Sequence, residues 1–193
     1  FLPIAINYPS LFKSSDVIAS HLDMLLDDLR DVKEINFIAK GLGGLLLRKV
    51  LAMKGAWQKR IKVEKIILID SPRNDWGLIG KIRKWRFGGR LLGPSMNLYE
   101  KEIMSKLPDF PKNVDIGILT TWNPVIKVFL KIVPKSWKRL MPSARESHIE
   151  YAKDISSAKY YGTNPYADKR VINACLSFLE EGKFKTNKKI KKL

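Results

Sequence analysis

The sequence predicts an α/β protein: a mostly parallel sheet with helices on both faces. Three observations carry this. Apolar runs at 35–39 and 65–69 lack polar alternation, as strands covered on both faces do. Segments with apolar residues at helical spacing lie between and around them. The two kinds alternate along the chain, which calls for right-handed crossovers between parallel strands.

Taken in order, Leu2 to Asn7 is a short apolar run closed by Tyr8-Pro9-Ser10, and predicts a buried first strand. Ser14 or Ser15 then caps a helix. Its apolar positions Ile18, Leu22, Leu25 and Leu29 share one face, while Asp23, Asp27 and Asp28 look outward. Ile35 to Ala39 predicts the second strand and Leu42 to Met53 the second helix. Leu45, Leu46, Leu47, Val50 and Leu51 surround much of that helix, so it should be buried. Lys65 to Ile69 is a third strand, apolar on both faces.

Residues 72–96 carry glycines at 77, 80, 88, 89 and 93 among basic residues, the pattern of a surface excursion. A short helix is expected at Asn97 to Lys106 and a strand at Val114 to Thr120, followed by an apolar run from Val125 to Val133 that stops at Pro134. A weak last strand is expected at Ile149 to Ile155. Asp168 caps the final helix, where Val171, Cys175 and Phe178 with Ile172, Leu176 and Leu179 form a wide apolar face, and Gly182 ends it. No internal repeat or second domain is visible. The expected organisation is one domain over 1–182 and a mobile lysine-rich tail over 183–193.

The 193 residues suffice for one core. With 36 lysines and arginines against 19 acidic residues, the formal net charge is +17. Such an excess suits an anionic partner, and it also keeps a surface solvated. Apolar runs such as Ile66 to Ile69 fall far short of the ~20 residues of a membrane-spanning helix. Cys175 is the single cysteine, so no internal disulfide forms, and its place in a helical apolar stripe marks it as a core residue. The chain opens on Phe1 in what already reads as strand plus turn. Further sequence is expected upstream, and localisation is left open.

The stretch INFIAKGLGGLLLR, residues 35–48, joins a strand to a helix through a glycine-rich turn. Turns of this kind hold a phosphate or a nucleophile. A dinucleotide fingerprint would need glycine at 46, where Leu46 stands, and a phosphate loop would place lysine after the glycines rather than at Lys40. No nucleotide cofactor is expected, nor any metal. The helix start at Lys40, Leu42 and Gly43 retains a weak anion-binding character from its free N–H groups.

In this setting the stretch resembles the nucleophile elbow of α/β-hydrolase lipases and esterases, a strand ending in G-H-S-x-G-G before a helix. The likeness extends through INYPS, the Leu-Arg pair of LLLRKVL, LGPS, VDIGILT followed by NP, and a last helix ending FLEEGKF. The resemblance implies an α/β-hydrolase-like fold whose N-terminal strands and oxyanion loop would lie upstream of Phe1. It also locates what is missing. Gly41 stands at the nucleophile position, Lys40 replaces the preceding histidine, and the loop expected after the last strand, Ser156 to Tyr161, contains no histidine. The family acid would fall near Pro134 to Trp137, where no carboxylate occurs, and Asp70 occupies an alternative acid position. The two histidines, His21 and His148, read as surface or structural residues.

The resemblance therefore implies a catalytically inactive relative that serves as a structural or interaction subunit with protein partners. A hydrolase with displaced machinery, using Ser71 or Ser157 with His148 and Asp70, is the alternative. A carrier of a lipid or other apolar ligand is a further one. The segment 81–90 sets Lys81, Arg83, Lys84, Arg86 and Arg90 among Trp85 and Phe87, a mixture suited to RNA, an anionic membrane or a protein surface. No base-reading motif accompanies it, so sequence-specific DNA binding is not expected.

Overall fold

Four parallel strands form the sheet in chain order: β1 (Glu34–Lys40), β2 (Lys62–Ile69), β3 (Asp115–Trp122) and β4 (Asp154–Lys159). A two-residue β5 (Lys188–Lys189) lies antiparallel to β4. The computed structural model describes residues 2–71, 94–99, 101–123, 149–161, 164–186 and 188–189. The expected α/β architecture with helices on both faces is what these residues form.

β2 shows why the unalternated runs become central strands. Ile66 and Leu68 enter one core with Ala39, Leu47, Ile116 and Ile118, while Ile67 and Ile69 enter the other with Leu119, Val171 and Phe178. All four β2 residues are buried, each contributing roughly 1.5–3 kcal/mol on removal from water. The first face is covered by α2 (Leu42–Ala52), backed by α1 (Ser15–Asp28). A short α3 (Lys101–Lys106) follows the turn at Pro94–Tyr99, and α4 (Lys169–Glu181) covers the second face.

Local signals set the helix ends. Ser14 Oγ accepts from Val17 N at 3.4 Å at the start of α1, and Asp168 accepts from Arg170 N at 2.9 Å at the start of α4. Gly182 takes a left-handed conformation at φ 70° and donates to Phe178 O, closing α4. Arg48 of α2 is buried, and its guanidinium donates to Pro108 O at 3.0 Å and Leu107 O at 2.6 Å. The Leu-Arg pair of LLLRKVL is thus a core leucine beside the cation that moors α2 to the loop after α3.

Several expectations are corrected. Leu2 to Asn7 forms no strand, and Leu2 and Ile4 are 87% and 61% exposed, since among the described residues no strand pairs with them. On α1 the buried line runs through Ile18, Ala19 and Leu26, and Leu25 is half exposed. Asp23 does not face solvent freely: its carboxylate accepts from Trp57 Nε1 at 2.7 Å, since a fully buried indole N–H requires an acceptor. The last strand begins at Asp154 rather than Ile149, because Ile149 and Ala152 close a buried turn, Ala152 N donating to Ile149 O. Ser156 to Lys159 therefore belong to β4, and the connection from β4 to α4 begins at Tyr160. Ile172 and Leu176 remain 41% exposed, so the apolar stripe of α4 is narrower than its sequence suggests.

The tail also departs from expectation at its start. Phe184 is buried and stacks on Phe178 with ring centroids 4.7 Å apart, and Lys188 and Lys189 pair with Ser157 and Ser156. Both phenylalanine rings press on Gly117 of β3, where an added Cβ would lie 2.7–2.8 Å from them. The expected excursion at 72–96 falls mostly outside the described residues, as do the Val125 to Val133 run and Pro134 to Trp137. Among the described residues, no helix is long and apolar enough to cross a membrane, and no group of three or more potential ligands is placed to hold a metal ion.

Candidate functional site

The carboxyl ends of β1, β2 and β3 converge on the turn between β1 and α2, the end of an open α/β sheet where ligands generally bind. Gly41 caps α2 with φ 47° and ψ −116°. Residues bearing a Cβ adopt such a backbone only under strain, whereas glycine does so cheaply. The turn is held from three directions. Gly41 N donates to Ile69 O at 3.0 Å, Gly44 N donates to Gly41 O at 3.2 Å, and Ser71 Oγ donates to the same carbonyl at 2.9 Å.

Gly44 allows this close approach. A Cβ there would fall 2.0 Å from Ser71 Oγ and 3.3 Å from a Leu68 methyl carbon. At Gly43 it would meet Tyr8 Oη at 3.3 Å. The INYPS landmark thus packs against the first turn of α2, and burial pushes the Tyr8 phenol up.

Asp70 ends β2 in a left-handed conformation, φ 48°, uncommon for a residue other than glycine though accessible to Asp and Asn. Its carboxylate accepts from Thr121 N at 2.7 Å and Thr121 Oγ1 at 2.5 Å. Burial raises its pKa, and the Thr121 hydrogen bonds and the Lys40 charge oppose that rise. The Lys40 ammonium sits 4.3 Å from the centre of the Tyr166 ring. Tyr166 Oη is shut from solvent with no hydrogen-bond partner among the described residues. Burial, then the Asp70 charge, pushes its phenol well above the usual range.

Of the residues singled out in the sequence, the fold gathers Lys40, Gly41, Leu42, Gly43, Asp70 and Ser71 at one end of the sheet. Ser157 is in β4 opposite Thr120, two strands from Asp70 and three from β1, or roughly 10 and 14 Å at ordinary strand spacing. His148 and the basic set Lys81, Arg83, Lys84, Arg86 and Arg90 lie outside the described residues. Thr121 and Tyr166 were not anticipated. The threonine pair extending β3 past Thr120 was a weak local signal for the first, and nothing in the sequence pointed to the second.

No protein-family model and no curated protein matches the chain. Two solved structures are similar to it. One is a carboxylesterase of the ammonia-oxidizing thaumarchaeon Nitrososphaera gargenis, at 11% identity and a TM-score of 0.41, covering 87% of this chain and 72% of its own. The other is the Vlm2 thioesterase domain, at 13% identity and a TM-score of 0.38, covering 82% and 72%.

Chemically, the turn presents backbone and no side-chain nucleophile at Gly41. Ser71 Oγ, the nearest described hydroxyl bonded to the turn, is buried and spends its proton on the Gly41 carbonyl. The loop from Tyr160 to Asp168 offers two tyrosines at its start and Tyr166, and no imidazole.

Proposed function

We propose that this chain is a catalytically inactive relative of the α/β hydrolases that acts as a structural or interaction subunit of a larger assembly, with its excess positive charge available to anionic partners. The observation that carries this reading is Gly41: a strand–turn–helix junction with the strained backbone of a nucleophile elbow and no side chain to present. Covalent acyl transfer needs an oxygen or sulfur at that point, activated by a base within hydrogen-bond reach. Glycine supplies no such atom, and the Tyr160 to Asp168 loop supplies no histidine. The carboxylate of Asp70 accepts from Thr121 N and Oγ1, which ties the end of β2 to β3.

The competing reading, displaced hydrolase machinery, draws support from Asp70 and Ser71 standing side by side at the strand ends. It requires Ser71 Oγ to leave the Gly41 carbonyl and meet a base. Hydrolysis of p-nitrophenyl esters from acetate to dodecanoate separates the two. Rates equal to buffer are expected for the purified protein. Turnover that disappears in Ser71→Ala or Asp70→Asn would establish the displaced site instead.

A further inference from the structure

β4 is the outermost of the parallel strands on its side, and its outer edge is bordered by the segment that follows α4. Phe184 N donates to Asp154 Oδ2 at 2.7 Å, Lys185 N donates to Ser177 Oγ at 2.9 Å, and Thr186 Oγ1 contacts the buried Ser156 Oγ. Lys188 and Lys189 then pair antiparallel with Ser157 and Ser156. The anchor of this strap is the Phe184 ring stacked on Phe178, whereas β5 contributes lysine side chains alone. A very short strand bearing lysines is a device by which natural sheets blunt an edge.

The strand behind it has the opposite character. The six residues of β4, Asp154–Lys159, include no proline or glycine and carry one acid against one base. They are also complementary to themselves. Antiparallel pairing centred between Ser156 and Ser157 sets Asp154 opposite Lys159 of a second copy, Ile155 opposite Ala158 and Ser156 opposite Ser157. A shift of one residue in either direction separates the two charges. Among the described residues neither charge is paired with an opposite one: the Asp154 carboxylate accepts from Ile155 N and Phe184 N, and the Lys159 ammonium lies over the Tyr161 and Trp122 rings. A two-fold axis through the centre of the pairing makes both copies contribute the same surface, which closes the contact as a dimer.

We infer that the strap is a guard on β4, and that displacing β5 lets β4 pair antiparallel with β4 of a second copy of this chain, Asp154 opposite Lys159. The inference goes beyond the reading above and holds whether or not the chain hydrolyses esters. The second copy offers six residue pairs where β5 makes two. β5 prevails because it belongs to the same chain, and so competes at a high effective concentration.

The test uses the full chain with Lys188→Pro and Lys189→Pro together. Proline removes the N–H groups of β5 and cannot continue the ladder, while the Phe184 anchor stays in place. In sedimentation velocity over about 1 to 100 μM, the parent should remain a monomer and the double variant should dimerise at least about tenfold more tightly. The register is tested on the same proline background. Asp154→Lys or Lys159→Asp, each added alone, should weaken the dimer by about tenfold through like charges, and an equimolar mixture of the two should restore it as a heterodimer. Thr186→Ala with Lys188→Gly and Lys189→Gly loosens the strap without proline, and replaces the first variant if that chain loses its cooperative urea transition. Three results would overturn the inference: a folded variant that stays monomeric, a parent that dimerises as tightly as the variant, or a dimer indifferent to the two charge reversals.

Discussion

Ser71 Oγ donates to the carbonyl oxygen of Gly41 at 2.9 Å, so the second residue past the end of β2 clasps the turn that follows β1. The clasp leaves no space at Gly44, whose added Cβ would lie 2.0 Å from that oxygen. Gly44→Ala should therefore cost about 1–3 kcal/mol of stability through overpacking. Adding Ser71→Gly to the same chain should recover part of that loss despite sacrificing the hydrogen bond. Urea denaturation of the two single variants and the double variant measures the coupling, and strict additivity would show that the two residues do not meet.

Gly41 itself should tolerate no side chain. At φ 47° and ψ −116°, Gly41→Ala and Gly41→Ser should each lose about 1–3 kcal/mol, the usual cost of holding a residue with a Cβ in such a conformation. On the reading proposed above, introducing serine should confer no esterase activity, because among the described residues no imidazole is placed beside the turn. A Gly41→Ser variant that hydrolyses esters would reveal a base that this account does not include.

Asp70 should burden the fold at neutral pH. Burial raises its carboxyl above the unfolded-state value, so the folded chain takes up this proton at a higher pH than the unfolded chain. Its contribution to stability therefore grows as the pH falls from above the folded pKa to below the unfolded one. Asp70→Asn can keep an acceptor for Thr121 N and suits the left-handed backbone. It should be at least as stable as the parent at pH 7 and lose the acid-side gain. Urea midpoints of both proteins between pH 7 and pH 3 check this. A variant clearly weaker at pH 7 would mean that the carboxylate charge is favourable there.

Cys175 should report unfolding. Burial within α4 pushes its thiol up to about 12, and the reactive thiolate is scarce at neutral pH. Maleimide labelling should be slow in buffer and complete in denaturant, with the midpoint following the urea transition. Rapid labelling of the native protein would show that the packing of α4 on β2 to β4 opens readily.

The sequence disclosed what local chemistry decides. Ser14, Asp168 and Gly182 set helix ends within three or four residues of themselves, and the doubly apolar run in β2 needs only its own composition to be read as a central strand. Leu2 to Asn7 misled because a strand exists only beside another strand, and a ladder is not a property of one segment. Asp23 misled because its acceptor role is set by Trp57, 34 residues away. At the site, the glycines of the turn were legible from their spacing. The Thr121 bonds to Asp70 and the buried Tyr166 hydroxyl arise from contacts across the sheet end, to which no nearby residue is a guide.

The central claim, that the turn at Gly41 no longer presents a nucleophile, is tested most directly by incubating the purified protein with a fluorophosphonate and reading its intact mass. The account predicts an unchanged mass under conditions that label a serine esterase completely. A stoichiometric adduct on Ser71, Ser157 or any other serine, lost on denaturation before exposure to the probe, would contradict it.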